Sequence, residues 1–510
     1  MGRRTTGGSD VEIGPCRTHR FVASVTTSAD PRRWRALSIL LMGQFASLLD
    51  LSVTNVALPS IGRATGADAS ELQWVVTGYV LAFGLVPVIG GRLGDGRGRR
   101  RMFIVAMLGF VVASAAVGLA PTAGVLIAAR VVQGMFGGMI GPQVSGFIQN
   151  AFPPGERGRA FGRLGLTVGA GTALGPVVAG LLIAAGGEAA GWRLVFFINV
   201  PIGLAAVVLA RRWVAADPPV ARTAGRSLDL WGVALLGAGL LCLLLPVVET
   251  GQSGGPLTLL LLIPAAGFLA AFVRHEGRLT RADAAPLIDL RLFRTRSFVT
   301  GVVFAVVFFC SNTGIPLVLA LYYQDGLGFT ALQSALGVTA YAVGTVFGAP
   351  VAGRFITRVG RPLLLGAVSV FTLVTVVLAL VVQAAPGATD PVGVILRLCV
   401  PLFVLGIAGG SIVTPNQTLT LADVDPSRGG VAGGVVQTAQ RVGASIGQTV
   451  LGTSFVVVLA GTARASAPGA PAPDPAAFAA ALTVALGVSV AFSATAAVLS
   501  GIEIRRSRAR

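Results

Sequence analysis

Long apolar runs alternate with short polar joints along almost the whole chain. A helix needs about 20 apolar residues to cross the hydrocarbon core of a bilayer. Fourteen runs of that size recur, near 36–57, 73–93, 102–120, 123–146, 160–184, 192–210, 229–248, 256–274, 298–323, 333–353, 362–384, 392–416, 429–460 and 477–500. The pattern predicts an all-α polytopic membrane protein. Residues 1–35 lack the short apolar core and small-residue cleavage site of a secretory signal and read as a disordered polar arm.

Composition agrees. The 510 residues are 54% hydrophobic and 12% charged, against about 25% charged in soluble domains. The net charge of +18 raises the question of nucleic acid, but the placement of the charges answers it. Every basic residue is arginine. With an even number of spans and the N-terminus inside, only Arg63, Arg193 and Arg464 fall in or beside outer loops, and Arg130, Arg397 and Arg441 fall within spans. The other arginines lie inside, as the positive-inside rule requires. Both termini are therefore expected in the cytoplasm, the tail 501–510 included.

An internal repeat divides the chain. Gly91-Arg92-Leu93-Gly94-Asp95-Gly96-Arg97-Gly98-Arg99 follows run 2, and Gly353-Arg354-Phe355-Ile356-Thr357-Arg358-Val359-Gly360-Arg361 follows run 10. Arg130 and Arg397 lie early in runs 4 and 12, and runs 5 and 13 are both glycine-rich. The expected layout is a six-helix half over 36–211, linkers with two extra spans over 212–297, and a second six-helix half over 298–500. Repeats around a midplane site are a transporter architecture.

Other chemistries lack their residues. Cys16, Cys242, Cys310 and Cys399 are far apart, with no metal or disulfide spacing, and His19 and His275 lie in polar segments. No nucleophile has a paired histidine, and a lysine-free chain has no phosphate-binding loop of the Gly-x4-Gly-Lys kind. An enzyme, a resident metal and primary ATP-driven transport are not expected.

The costliest residue is Asp50, about fourteen residues into the first run. A charge at that depth costs roughly 2.5–3.5 kcal/mol on insertion scales. Burial disfavours an ionised carboxylate and a neighbouring arginine favours it. An acid whose arginine approaches in one state and withdraws in another can therefore take up and release a proton. Asp50 is the candidate proton site and Arg130 its candidate partner. In the repeated loop, Asp95 suits a helix N-terminus, where the dipole favours an anion; the helix beginning at Pro362 is the expected one. In run 5, Gly165/Gly169 and Gly171/Gly175 have the spacing for close helix packing, and Pro176 predicts a kink.

Several stretches together resemble the major facilitator superfamily, in particular its fourteen-span drug:proton antiporter family. They are Leu49-Asp50-Leu51-Ser52-Val53-Thr54-Asn55-Val56-Ala57-Leu58-Pro59 in run 1, the loop from Gly91 to Arg101, Arg130 to Gly138 in run 4, Gly165 to Pro176 with Gly180 in run 5, Gly191-Trp192-Arg193-Leu194-Val195-Phe196-Phe197-Ile198-Asn199-Val200-Pro201 before run 6, and Pro286 to Phe293 before run 9. The resemblance covers roughly residues 36–460. It implies a major facilitator fold and a monomeric plasma-membrane exporter of lipophilic drugs or antibiotics. Export would be in exchange for protons, with no cofactor besides the proton and no partners other than substrate and lipid. It further implies proton coupling at Asp50 and Arg130. Conformational roles are implied for Gly91, Arg92, Asp95, Gly98, Arg99, Gly134, Gly171, Gly175, Pro176 and Gly180. An endogenous metabolite as cargo, or an importer or uniporter of the same fold, are the alternatives.

Polar groups in otherwise apolar runs are candidates for the substrate cavity: Gln133, Asn312, Tyr341, Asn416, Gln437 and Arg441. No second acid lies within the runs of the C-terminal half. That speaks against divalent organic cations and leaves monocations, neutral compounds and anions open.

Overall fold

The structure, a computed structural model, describes residues 2, 32–215, 229–249, 260–282, 284, 286–384, 390–465 and 475–508. Most of the expected N-terminal arm, the linker 216–228 and the start of the eighth run lie outside the described residues. The helices are α1 (Arg33–Thr65), α2 (Ala69–Leu85), α3 (Pro87–Arg97), α4 (Arg99–Leu119), α5 (Ala123–Ala151), α6 (Pro154–Phe197), α7 (Asn199–Trp213), α8 (Leu230–Glu249), α9 (Leu262–Arg281), α10 (Arg296–Asn312), α11 (Gly314–Leu321), α12 (Ala331–Val359), α13 (Arg361–Gln383), α14 (Pro391–Thr420), α15 (Gly429–Ala465) and α16 (Pro475–Arg508). No strand occurs among the described residues.

Among the described residues, eleven helical stretches are long and apolar enough to cross a membrane, and the pair α2 and α3, bent by 44°, makes up to twelve. Runs 7 and 8 fall on α8 and α9 instead. The apolar stretch of α8, Leu230–Leu245, is shorter, and the last turns of α9 carry Arg274, His275, Glu276, Arg278 and Arg281. Residues 501–508 continue α16, where Glu503 pairs with Arg361.

Three apolar clusters form among the described residues. One gathers α1 to α7 with parts of α8, α9 and α10 and the start of α15; another gathers α10 to α16; a third, around Val53, Leu126 and Trp192, joins α1, α2, α4, α5 and α6. Between the first two run two seams. Along one, α6 packs on α12 and α14; along the other, α15 packs on α3 and α5. The helix α8 covers α2 and α15 and carries α9 on its other side.

Glycines bring the seams close at the end that bears the repeated loops, hereafter the arginine-rich end. A Cβ on Gly91 would strike the backbone of Gly430 and Val431, and one on Gly158 would strike Gly353 and Ile356. Gly162 and Gly165 meet Ala349 of α12, and Gly169 meets Val346. The opposite face of α6 packs on α1, where Gly171 faces Leu48 and Gly175 faces Ser52. The halves therefore touch closely at the arginine-rich end.

The repeated loops turn in the same way. Gly98 (φ 98°) ends α3 and starts α4, and Gly360 (φ 68°) ends α12 and starts α13. Positive φ is cheap only for glycine. Asp95 does not reach α13, contrary to the sequence expectation. Its Oδ1 accepts from the Gly430 N–H at 3.1 Å and its Oδ2 from the Val431 N–H at 2.9 Å, at the start of α15. The reason is topological. Each loop faces the glycine-rich helix of the opposite half, α15 for the first copy and α6 for the second, so α13 never approaches Asp95.

Candidate functional site

Asp50 lies midway along α1, a helix of 33 residues, and is fully buried with Arg130. Arg130 Nη1 donates to Asp50 Oδ2 at 2.5 Å. Asp50 Oδ1 accepts from Gln133 Nε2 at 2.9 Å and from Asn199 Nδ2 at 2.6 Å. Gln133 also donates to Ser114 Oγ at 2.6 Å and accepts from Arg130 Nη1 at 2.7 Å. The remaining guanidinium edge is held by Val75 O, 3.2 Å from Nε. Helices α1, α2, α4, α5 and α7 thus meet at one carboxylate.

Local sequence sets this up. Gly134 and Gly138 seat α5 directly on the α2 backbone at Tyr79 and Phe83. That close approach lays the Arg130 guanidinium 4.1 Å from the Tyr79 ring centroid, and Phe196 lies at 5.5 Å. Tyr79 is fixed by donating to Ser47 O at 2.9 Å. A buried ion pair persists only when its remaining donors and acceptors are met. Here the carboxylate is nearly saturated, while Arg130 Nη2 and Asn199 Oδ1 find no hydrogen-bond partner among the described residues. Every contact on Asp50 is an N–H donor, two on Oδ1 and one on Oδ2, so a proton finds its open place on Oδ2, beside Arg130.

Gln133, expected in the substrate cavity, therefore sits against Asp50 itself. Sequence reasoning missed Asn199, Ser114 and Tyr79. Asn199 stood inside the Gly191–Pro201 stretch, where a lone amide beside a proline at the head of an apolar run was the available signal.

The other candidates separate into groups. Tyr341 donates to Asn312 Oδ1 at 2.5 Å, between α12 and α10. Asn416 is buried on α14, where its O accepts from Thr420 Oγ1 at 2.6 Å. Gln437 and Arg441 are half-buried, one turn apart on α15. Gln437 reaches Ser145 Oγ at 3.4 Å, and Arg441 lies 4.7 Å from the Phe83 ring centroid. Pro176 has no N–H for Thr172 O, four residues earlier, and Ser52 Oγ of α1 supplies the missing donor at 2.8 Å. Nothing lies within 4 Å of a Cβ placed on Gly180.

At the arginine-rich end, Arg99 clamps the seam. Its Nη2 donates to Asp95 Oδ1 at 2.7 Å and to Pro426 O at 2.8 Å, and its Nη1 donates to Gly146 O. Arg428 pairs with Asp289 at 2.5 Å. Arg92 is half-buried beside this cluster.

Two packed groups of membrane-length helices, the first enclosing a buried acid–arginine pair, are the architecture of a polytopic membrane protein. Residues 40–448 match the model of the Major Facilitator Superfamily, and the chain belongs to that superfamily. It is 38% identical over 447 residues to a probable actinorhodin transporter of Streptomyces coelicolor, covering 86% of this chain and 76% of that protein. It is 33% identical to the tetracenomycin C resistance and export protein of Streptomyces glaucescens, covering 82% and 76%. It is 34% identical to the puromycin resistance protein of Streptomyces alboniger, covering 83% and 82%. In fold it is similar to a human organic anion transporter (TM-score 0.59, 14% identity, 91% of this chain and 100% of that one). It is also similar to a proton:xylose symporter (TM-score 0.59, 16% identity, 91% and 95%).

Proposed function

We propose that this chain is a proton-coupled exporter of lipophilic drugs or antibiotics in the plasma membrane. In this reading it has fourteen spans, α8 and α9 included, and both termini are cytoplasmic. The observation that carries it is the Asp50–Arg130 pair, fully enclosed in the first half and held by Gln133 and Asn199. The names of the relatives support an antibiotic or a similar compound as cargo. An endogenous metabolite of the same character would use the same machinery.

The arginine-rich end is the cytoplasmic one in this reading, so the conformation described faces outward. A proton entering from outside takes the open site on Asp50 Oδ2 and cancels the carboxylate's charge. Arg130 loses its counter-charge and is left to Val75 O and the Tyr79 and Phe196 rings. The change in charge loosens the helices that meet there, and the halves rock about the glycine-lined seams. Return of Arg130 to Asp50 on the inward side expels the proton. Each positive charge moving inward gains about 2.3 kcal/mol per 100 mV of membrane potential, so one or two protons drive modest accumulation outside.

The test is Asp50→Asn in proteoliposomes. The variant is expected to fold, to bind drug and to lose pH-driven transport. Transport at the wild-type rate would end this reading.

A further inference from the structure

Of the three arginines within the apolar runs, Arg130 is paired and Arg397 is exposed, while half-buried Arg441 has no acidic partner among the described residues. Asp50 is matched by Arg130. None of the described carboxylates forms an ion pair with Arg441, whose one charged-group contact is the Phe83 ring at 4.7 Å. A cation–ring contact recovers only a small part of what an ion loses on leaving water, so the ring alone does not offset the charge.

Its position is on the seam between the halves. On α15, Gly434 packs on Pro87 of α3, Gly433 on Ser145 of α5, and Gln437 against Gly141 of α5. One turn beyond Gln437 comes Arg441, near Gly84 of α2, which Leu244 of α8 also approaches. The side chain stays half-buried and so keeps access to a ligand. Arg441 therefore sits where the two halves meet, with the half-buried Gln437 amide one turn nearer the arginine-rich end. Tyr79 and Phe83, one turn apart on α2 and stacked at 5.7 Å, connect the two sites: Arg130 lies over the first ring and Arg441 over the second.

We propose that Arg441 is the anchor for an acidic group, a carboxylate or phenolate, on an otherwise lipophilic substrate. This rests on the export reading above and names its substrate class. An organic anion supplies the counter-charge that the protein lacks, and a guanidinium meets it with paired N–H donors. A lipophilic cation would meet an uncompensated positive charge, and a neutral compound would leave it unpaired.

The test uses three ligands with one ring system: anthraquinone-2-carboxylate, its methyl ester, and the matching trimethylammoniomethyl anthraquinone. Binding to purified protein without any gradient is read by tryptophan quenching. The wild type is expected to bind the anion at least tenfold more tightly than the ester, and the cation more weakly than either. Arg441→Gln is expected to erase the preference for the anion, with the melting temperature of the variant reporting an intact fold. Arg441→Lys is expected to keep part of the preference. Equal or absent binding of the anion by the wild type, or an unchanged preference in Arg441→Gln, overturns the assignment. Proteoliposome flux separates the two readings. Arg441-dependent anion binding without proton-driven flux sinks export and leaves the site. Proton-driven flux of the cation in preference to the anion sinks the site and leaves export.

Discussion

Asn199 donates its amide to the Asp50 carboxylate at 2.6 Å, which ties the head of α7 to the middle of α1. The bond is buried at both ends, and leaving a buried acceptor short of a donor costs about 1–3 kcal/mol. Asn199→Ala is expected to slow proton-driven efflux at least fivefold in proteoliposomes and to leave drug binding in place. Asn199→Asp, which sets a second carboxylate against the first, is expected to abolish efflux. Normal rates in both would remove Asn199 from the coupling site.

The Asp95 contact with the first N–H groups of α15 makes a different prediction. A carboxylate at a helix N-terminus is worth roughly 0.5–2 kcal/mol. One to two kcal/mol changes a two-state ratio about 5–30-fold. Asp95→Ala is expected to open the arginine-rich end by a factor in that range. The readout is maleimide labelling of a Ser145→Cys reporter, in a background without the native cysteines. Ser145 is buried under Gly433, so labelling reports the seam directly. Unchanged labelling would mean that Asp95 does not hold the seam.

Gly91 tests the same seam through shape. Its Cβ would meet the Gly430 carbonyl and lie 2.8 Å from Val431 N, and backbone atoms of a packed helix cannot swing aside. Overpacking of this kind costs about 1–3 kcal/mol. Gly91→Val is expected to lower the melting temperature and raise Ser145→Cys labelling. Gly96→Ala, five residues on in the same helix but with nothing within 4 Å of its Cβ among the described residues, is expected to change neither.

Glu276, at the end of α9, gives a pH prediction. It is fully buried and accepts from the Leu287 and Ile288 N–H groups at 3.3 and 3.1 Å. Burial pushes its carboxyl up from 4.5 to about 7, with neighbouring Asp229 adding to the rise and the Ile288 N–H opposing it. The folded protein therefore keeps a proton that the unfolded chain gives up between pH 4.5 and 7. Stability from this group is full below about 4.5, falls as pH rises through 7, and then levels off. Melting temperatures in detergent from pH 5 to 8 are expected to show that decline in the wild type and a flatter profile in Glu276→Gln. Parallel profiles would assign the slope to another group.

Much of this was legible before any coordinates. Apolar run length marks the membrane helices, because a bilayer leaves the backbone few other solutions. Asp50 and Arg130 stood out as charges in an apolar setting, and they do meet. What stayed hidden was of two kinds. Asn199, Ser114 and Tyr79 are ordinary residues for a helix, and only the packing of α2, α4 and α7 around α1 gives them a shared partner. The destination of Asp95 depended on how the halves face one another, which no local pattern records. The division of runs 7 and 8 was hidden for another reason: α9 ends in a charged, amphipathic stretch, so apolar content alone does not set its length.

The two loop copies share a glycine turn but not an acid. Where the first copy has Asp95, the second has Thr357, whose methyl group lies near a Cβ placed on Gly158 at the start of α6. One seam is thus latched by charge and the other only by fit. The resting bias of the molecule hangs on one side of a near-symmetric frame, and Thr357→Asp offers a way to fasten the other.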